Sequence, residues 1–346
     1  MSTKPTIKDI ARICGVSTIT VSRVISNSQS VKSETRDLIL RTMQELNYRP
    51  EKLVKFNETV RREQVISLIS DSVTRPERIE IIHAIEAQLI DKGYLLVLCE
   101  TGEDPARQDE YLRYVFNDDK ISGIIVISGL IDQAKLSPNL YIKKHKPLVS
   151  INWSSTWSMT DAVVPDVFRS VIMAVDHLKE NGHKNIAFLG SPTLATGGME
   201  GRLAFISALT SAGLPLNDER YIYEGDMKKG SGMRVAREIA SVFPEVQGIV
   251  CSNLSMAAGF MSEMEKIDKT MADSLSVIVS GISMSKEPGY SFASTGPYYE
   301  EAGAESVGIL MERIRELETT GQLSPNMKKT ILVPHLYEGS TVHRLA

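Results

Sequence analysis

Apolar residues recur along this chain with two different periods, and the change of period divides it. Up to Pro50 the spacing is helical. Ile7, Ile10, Ala11 and Cys14 fall on one face of a short helix. Thr6 and Asp9 are spaced as a capping box at its start, and Gly15 stands where a helix end needs positive φ. Ser17 is placed to cap a second helix, whose Val21, Val24 and Ile25 face back onto the first. A third helical pattern within residues 31–50 ends at Arg49-Pro50, because the residue before a proline disfavours helix. From Gln64 the pattern becomes short apolar runs at 65–69, 94–99, 123–127, 147–151, 186–189, 248–250 and 275–279. Helical stretches at 79–92, 167–181, 230–242 and 256–266 lie between most of them. Buried strands alternating with helices predict parallel sheets covered on both faces, and the series is too long for one sheet. Two βαβ lobes are expected.

Two short helices joined by a glycine turn form a helix-turn-helix, whose second helix enters the DNA major groove. The exposed residues at its start would be Ser17, Thr18, Ile19, Thr20, Ser22 and Arg23. Hydroxyls, one apolar group and an arginine can all meet base edges or phosphates. Thr6, Ser26, Asn27, Lys32, Thr35 and Tyr48 flank that helix, and Lys52 and Lys55 follow the third; all join the candidate DNA contacts. A plain helical hairpin with a polar face is the alternative, but turn, caps and basic face agree on DNA.

Charge sharpens this reading. The chain of 346 residues carries a formal net charge of -4. Residues 1–62 hold twelve Lys and Arg against six Asp and Glu, and the remainder holds 27 against 37. A basic head on an acidic body suits phosphate contacts by the head alone. Cys14, Cys99 and Cys251 lie far apart in apolar surroundings and read as reduced core residues. No signal-peptide pattern and no apolar run of membrane-spanning length occur, so a cytoplasmic home is expected. Gly-x-Ser-x-Gly, phosphate-loop, His-Glu-x-x-His and dinucleotide fingerprints are lacking. The six histidines are scattered, at 83, 145, 177, 183, 335 and 343. Neither an enzyme nor a metal or other cofactor is expected.

Residues 6–24 read T-I-K-D-I-A-R-I-C-G-V-S-T-I-T-V-S-R-V, and residues 31–50 read V-K-S-E-T-R-D-L-I-L-R-T-M-Q-E-L-N-Y-R-P. With Gly182-His183-Lys184-Asn185-Ile186-Ala187 and Ser252-Asn253 further on, they make the chain resemble the lactose/galactose-repressor family of bacterial transcription regulators. The resemblance spans nearly the whole length and is most specific in the first fifty residues. It implies an all-α helix-turn-helix headpiece (1–50) and a hinge or linker (51–63). An α/β body (64–346) of two parallel-sheet lobes, like those of periplasmic binding proteins, would follow. The first lobe would take about 64–162 and 292–324, the second about 163–291 and 325–342. The implied activity is that of a repressor. It would bind a near-palindromic operator in double-stranded DNA as a homodimer, and a small molecule between the lobes would control it.

The carboxyl ends of the strands, where open α/β sheets bind ligands, are small or polar. They are Ser70-Asp71, Glu100-Thr101, Ser128-Gly129, Asn152-Trp153, Gly190-Ser191, Ser252-Asn253 and Ser280-Gly281. Several positions depart from the family pattern. Aligned on Pro50, Glu51 replaces the hinge asparagine and Asn57 the leucine that wedges into the minor groove, with Phe56 the nearest apolar group. The segment reads either as a short hinge helix or as a linker. The ligand-gripping arginine falls at Gly201, with Arg202 one residue off. Asn253 matches, but Leu254 replaces the neighbouring aspartate, and Val279-Ser280-Gly281-Ile282 stands where a Gly-aromatic-Asp-Asp run is usual. A neutral hexose gripped in the usual way is therefore not expected. The candidate effector contacts are Asp71, Arg75, Trp153, Arg169, Arg202, Asn253 and Tyr299. Arg75, Arg78 and Arg169 at the cleft rim would favour an anionic ligand, such as a uronate or phosphorylated sugar. A regulator of the same fold with no small-molecule effector, controlled by a protein partner, is the alternative.

Overall fold

The computed structural model describes residues 6–25, 31–46, 64–102, 104–127, 146–152, 160–192, 197–216, 221–281 and 289–345. The chain divides into two compact units, Met1–Gln64 and Val65–Ala346.

Among the described residues the first unit contains three helices, α1 (Ile7–Ile13), α2 (Thr18–Ile25) and α3 (Ser33–Glu45). Each contributes to one small core. Ile10, Val21 and Ile39 are fully buried, with Ala11, Cys14 and Val24 around them. The helical spacing placed Ile10, Ala11, Cys14, Val21 and Val24 inward; Ile7 packs against this core half-buried, and Ile39 of α3 was not singled out.

The second unit is built on two six-stranded sheets. The first contains β1 (Val65–Ser70), β2 (Leu95–Glu100), β3 (Ile121–Ile127), β4 (Leu148–Ile151), β5 (Asp161–Pro165) and β11 (Lys329–Leu332). Its order is β11-β5-β4-β3-β1-β2, parallel throughout. The second contains β6 (Ile186–Gly190), β7 (Ile222–Glu224), β8 (Gly248–Cys251), β9 (Ser276–Ser280), β10 (Ala293–Gly296) and β12 (His335–Tyr337). Its order is β12-β10-β9-β8-β6-β7, with only β12 antiparallel. Helices cover both faces, so central strands are buried on both sides and read as unbroken apolar runs. On the first sheet, α4 (Pro76–Asp91) and α11 (Tyr299–Thr320) share one core with the strands, and α5 (Pro105–Asn117) packs on the other. The second sheet carries α6 (Val167–Glu180), α7 (Gly198–Ala212), α8 (Lys229–Val242), α9 (Leu254–Ile267) and the short α10 (Lys269–Ser274).

The chain passes between the sheets three times: after Pro165, between Gly296 and Tyr299, and between Leu332 and His335. Two of these positions differ from the expected lobe limits. β10 pairs with β9 and so belongs to the second lobe, although the boundary was expected at 292. β11 pairs with β5 and belongs to the first, although 325–342 was expected in the second. Both strands are four residues long, and β10 is Ala-Ser-Thr-Gly, so neither shows a strand-like apolar pattern. Every crossing leaves from the carboxyl end of a parallel strand. The carboxyl ends of both sheets therefore face a common cleft.

Two pairs of helices touch through glycine. A Cβ on Gly232 of α8 would lie 2.0 Å from the Met256 carbonyl oxygen, and one on Gly259 of α9 would lie 2.2 Å from that of Lys229. In the first lobe, Gly303 of α11 lies against α4, where a Cβ would meet Ala84 Cβ at 2.7 Å and the Ile81 carbonyl at 2.8 Å. No helix among the described residues is long and apolar enough to cross a membrane.

Candidate functional site

The first unit presents one helix shaped for display. The Thr6 backbone N–H donates to Asp9 Oδ2 at 2.9 Å and its hydroxyl at 2.6 Å, while the Asp9 N–H donates to Thr6 Oγ1 at 3.4 Å. The two residues thus cap α1 reciprocally, and the Thr6 hydrogen bonds hold the Asp9 carboxyl below its ordinary value. Gly15 has φ +65°, the left-handed turn that glycine adopts without strain. At the start of α2, the Thr20 N–H donates to Ser17 Oγ at 3.1 Å, and the two hydroxyls lie 2.9 Å apart. With its inner face committed to Val21 and Val24, α2 turns Thr18, Ile19, Ser22 and Arg23 outward, Ile19 being 63% exposed. One face of α2 thus sets an exposed isoleucine beside hydroxyls and a cation, the kinds of group that can meet a thymine methyl, base edges and phosphates. Lys32 is exposed just before α3, and Thr35 is half-buried in its first turn. Ser26, Asn27, Tyr48, Lys52 and Lys55, with the hinge positions Glu51, Phe56 and Asn57, lie outside the described residues.

In the body, the structure brings strand-end residues to one cleft and shows that several already have partners. Asp71, at the end of β1, accepts from Arg78 Nε at 2.8 Å and Nη2 at 3.0 Å, and Arg75 Nη1 lies 3.7 Å from it. Arg78 and Asp71 are buried, so Arg78 is not a rim charge. Tyr299 is also buried, and its hydroxyl donates across the crossing to the Gly281 carbonyl at 3.4 Å. Burial pushes its hydroxyl well above the ordinary tyrosine value. Asn253 is the N-cap of α9, with its Oδ1 accepting from the Met256 N–H at 3.0 Å; a ligand would meet its amide NH2. Beside it, burial pushes the Cys251 thiol up to about 12, consistent with an inert core position. Arg169 is exposed in the first turn of α6, where its N–H donates to the Asp166 cap at 2.9 Å. Trp153, Trp157, Ser128 and Gly129 lie outside the described residues.

A cavity of about 220 Å³ opens where β6 and β7 end against the start of α7. Phe188, Gly190, Ser191, Met199, Arg202 and Glu224 line it. Arg202 Nη1 stands 3.6 Å from Glu224 Oε1, with the two side chains 39% and 57% exposed. An ion pair so open to water holds weakly, at about 0–1 kcal/mol. Gly201, the position expected for the family's gripping arginine, faces the core instead: its Cβ would meet the Phe188 ring at 3.1 Å. Met199 and Glu224 were not among the sequence candidates. β7 is only three residues long and carries no alternating pattern to mark its end. Among the described residues no group of three metal-binding side chains converges.

Two family models match the chain: bacterial regulatory proteins of the lacI family over residues 6–51, and periplasmic binding proteins and sugar binding domain of the LacI family over residues 63–283. Among curated relatives, the HTH-type transcriptional repressor PurR of Photobacterium profundum is 29% identical over 325 residues, covering 90% of this chain and 92% of its own length. PurR of Pasteurella multocida is 30% identical over 312 residues, covering 90% and 92%. Among solved structures, the transcriptional regulator CelR–cellobiose complex superposes with a TM-score of 0.68 at 22% identity, covering 97% of this chain and 99% of its own. The lac repressor dimer bound to operator and the anti-inducer ONPF gives 0.68 at 19% identity, covering 99% and 100%.

Proposed function

This chain belongs to the LacI family of bacterial regulatory proteins, and from that membership we propose that it is a cytoplasmic transcriptional repressor controlled through its cleft. The relatives it matches are transcriptional repressors, not enzymes. The observation that carries the DNA reading is the outward face of α2, held on a capped three-helix core and bearing Thr18, Ile19, Ser22 and Arg23. One headpiece reads half a site, so a homodimer on a near-palindromic operator completes the complex. Arg23→Ala is expected to weaken binding to a selected operator by about 1–3 kcal/mol, as for one good base contact. Lys32→Ala should weaken all sequences alike and flatten the salt dependence. Titration of operator and scrambled DNA over a salt series checks both, and equal losses on the two DNAs would make Arg23 a phosphate contact.

The effector we propose is a small hydroxylated molecule carrying an acidic group, such as a uronate or a sugar phosphate. Its support is Arg202, half-exposed in the cavity wall with Glu224 opposite it, and Arg169, exposed at the start of α6. Asn253 would offer its amide NH2 to a hydroxyl or carboxylate. In calorimetry with matched pairs, a hexose against its uronate or phosphate, the anion should bind about tenfold more tightly, a difference of about 1.4 kcal/mol. Arg202→Ala should erase that preference, and Asn253→Asp, which keeps the cap acceptor, should weaken both ligands. A second reading has its own observation: Asp71, Asn253 Oδ1 and Arg202 all have partners within the protein. If no metabolite in a broad panel binds, the body is the docking surface for a partner protein instead.

A further inference from the structure

The cavity beside Arg202 has walls of two kinds. Phe188, Pro192, Met199 and Ile222 line it with apolar side chains, and Tyr223 adds a second ring. Phe188 stacks on Phe205, with centroids 5.4 Å apart and planes 25° from parallel. Its ring leans along β6 into the space that a side chain at 190 would need: a Cβ on Gly190 would lie 2.3 Å from Phe188 Cε1. Glycine at the strand end thus lets an aromatic ring form part of the wall. Among the described residues that line the cavity, only Arg202 and Glu224 are charged, and both side chains reach water. The charge therefore stands at the open side.

This division decides how a ligand sits. A sugar ring inside would turn hydroxyls toward Phe188, Pro192, Met199 and Ile222, and a buried hydroxyl without a partner is costly. Size gives the same answer. The cavity holds about 220 Å³. An apolar cavity of about 150 Å³ already binds benzene, whereas pockets for drug-sized ligands start at about 300 Å³. One substituted ring fits, and the faces of Phe188 and Tyr223 with the Met199 sulfur favour an aromatic one. The hydroxylated part of the ligand lies outside, toward the cleft. There the Ser252 N–H donates to the Leu189 carbonyl at 2.9 Å, so Asn253 follows a strand that neighbours β6. Adjacent strands stand about 5 Å apart, a span that one sugar ring bridges.

The anion at Arg202, the hydroxyls toward Asn253 and the apolar group inside give three parts of one ligand fixed places. A uronic acid glycoside has this arrangement. Its carboxylate-bearing carbon and its anomeric carbon flank the ring oxygen, so acid and aglycone share one edge of the sugar, and the free hydroxyls take the other. Resting on the anionic effector proposed above, we infer that the effector is a glycosiduronate whose aromatic aglycone fills this cavity.

Calorimetry on the full chain tests this with phenyl and methyl β-glucuronides and β-galacturonides, and with the neutral phenyl β-glucoside and β-galactoside. A phenyl uronide should bind at least tenfold more tightly than its methyl counterpart, and at least tenfold more tightly than the neutral phenyl glycoside. Met199→Trp, at an exposed position in the wall, fills the cavity and should bring the phenyl-to-methyl ratio to about one. Should that variant fail to fold, Met199→Glu sets a charge beside the ring and should lower the ratio in the same way. Phenyl and methyl uronides that bind equally, or an undiminished ratio in the folded variant, overturn the aglycone site and leave the anionic effector standing. A neutral phenyl glycoside that binds as tightly as the uronide, or no binding by any of the six, overturns both.

Discussion

Replacing Arg313 by alanine is expected to destabilise the body by about 3–5 kcal/mol, the cost of breaking a buried ion pair from one side. Arg313 of α11 donates from Nε to Asp161 Oδ2 at 2.6 Å and from Nη2 to Oδ1 at 2.8 Å, with both side chains about 5% exposed or less. It also binds Glu316 and the Asn326 carbonyl, while the Lys328 N–H donates to Asp161 Oδ1 at 2.7 Å. One guanidinium thus ties α11, the start of β5 and the approach to β11. With alanine there, the Asp161 carboxylate stays buried with no cation against it. Urea denaturation followed by circular dichroism should show the loss. The double variant Asp161→Asn/Arg313→Met should be the more stable of the two, because it leaves no lone charge. A loss below about 1 kcal/mol in Arg313→Ala would mean that water reaches Asp161 and the pair behaves as a surface one.

Gly232→Ala is expected to destabilise by about 1–3 kcal/mol or more, although alanine is the better helix former. The new methyl would sit 2.0 Å from the Met256 carbonyl and 2.9 Å from the Phe260 nitrogen, both backbone atoms that cannot swing aside. Relief requires α8 and α9 to part, which shifts the Asn253 cap as well. Gly230, two residues earlier on α8, has nothing within 4 Å of a Cβ. Gly230→Ala should therefore stabilise, by up to about 0.5–1 kcal/mol. Opposite shifts in melting temperature for the two variants are the expected result; a neutral or stabilising Gly232→Ala would show that the helices have room to separate.

What was legible in the chain follows from how far each signal reaches. The capping box of Thr6 and Asp9, the Gly15 turn and the Ser17 cap involve neighbours within a few residues, and each was readable in advance. The seven apolar runs became β1, β2, β3, β4, β6, β8 and β9; six of them are apolar because their strands lie inside the sheets and are buried, whereas β2 is an edge strand that leaves Leu95, Val97 and Leu98 exposed. β5 was missed because it opens with Asp161, whose tolerance for burial depends on an arginine 152 residues away. β7, β11 and β12 were missed because three or four residues mixing polar and large apolar side chains are too few to show a period, and β10 because it is Ala-Ser-Thr-Gly. The candidate cleft suffered in the same way. Strand ends pointed to Asp71 and Asn253, but not to the Arg78 carboxylate clamp or to Glu224 opposite Arg202, since partners in space leave no local mark.

The three crossings also set an order of assembly. Synthesis delivers β1 to β5 first, yet their sheet is incomplete until α11 supplies Arg313 and β11 closes the edge beside β5. β6 to β10 and their helices form an uninterrupted stretch of chain that can begin to condense earlier on the ribosome, since chains fold by units as they emerge. The lobe that starts first therefore finishes late. Until then Asp161 must wait in water, and a ribosome that stalls before residue 313 leaves an open first sheet beside a nearly complete second one.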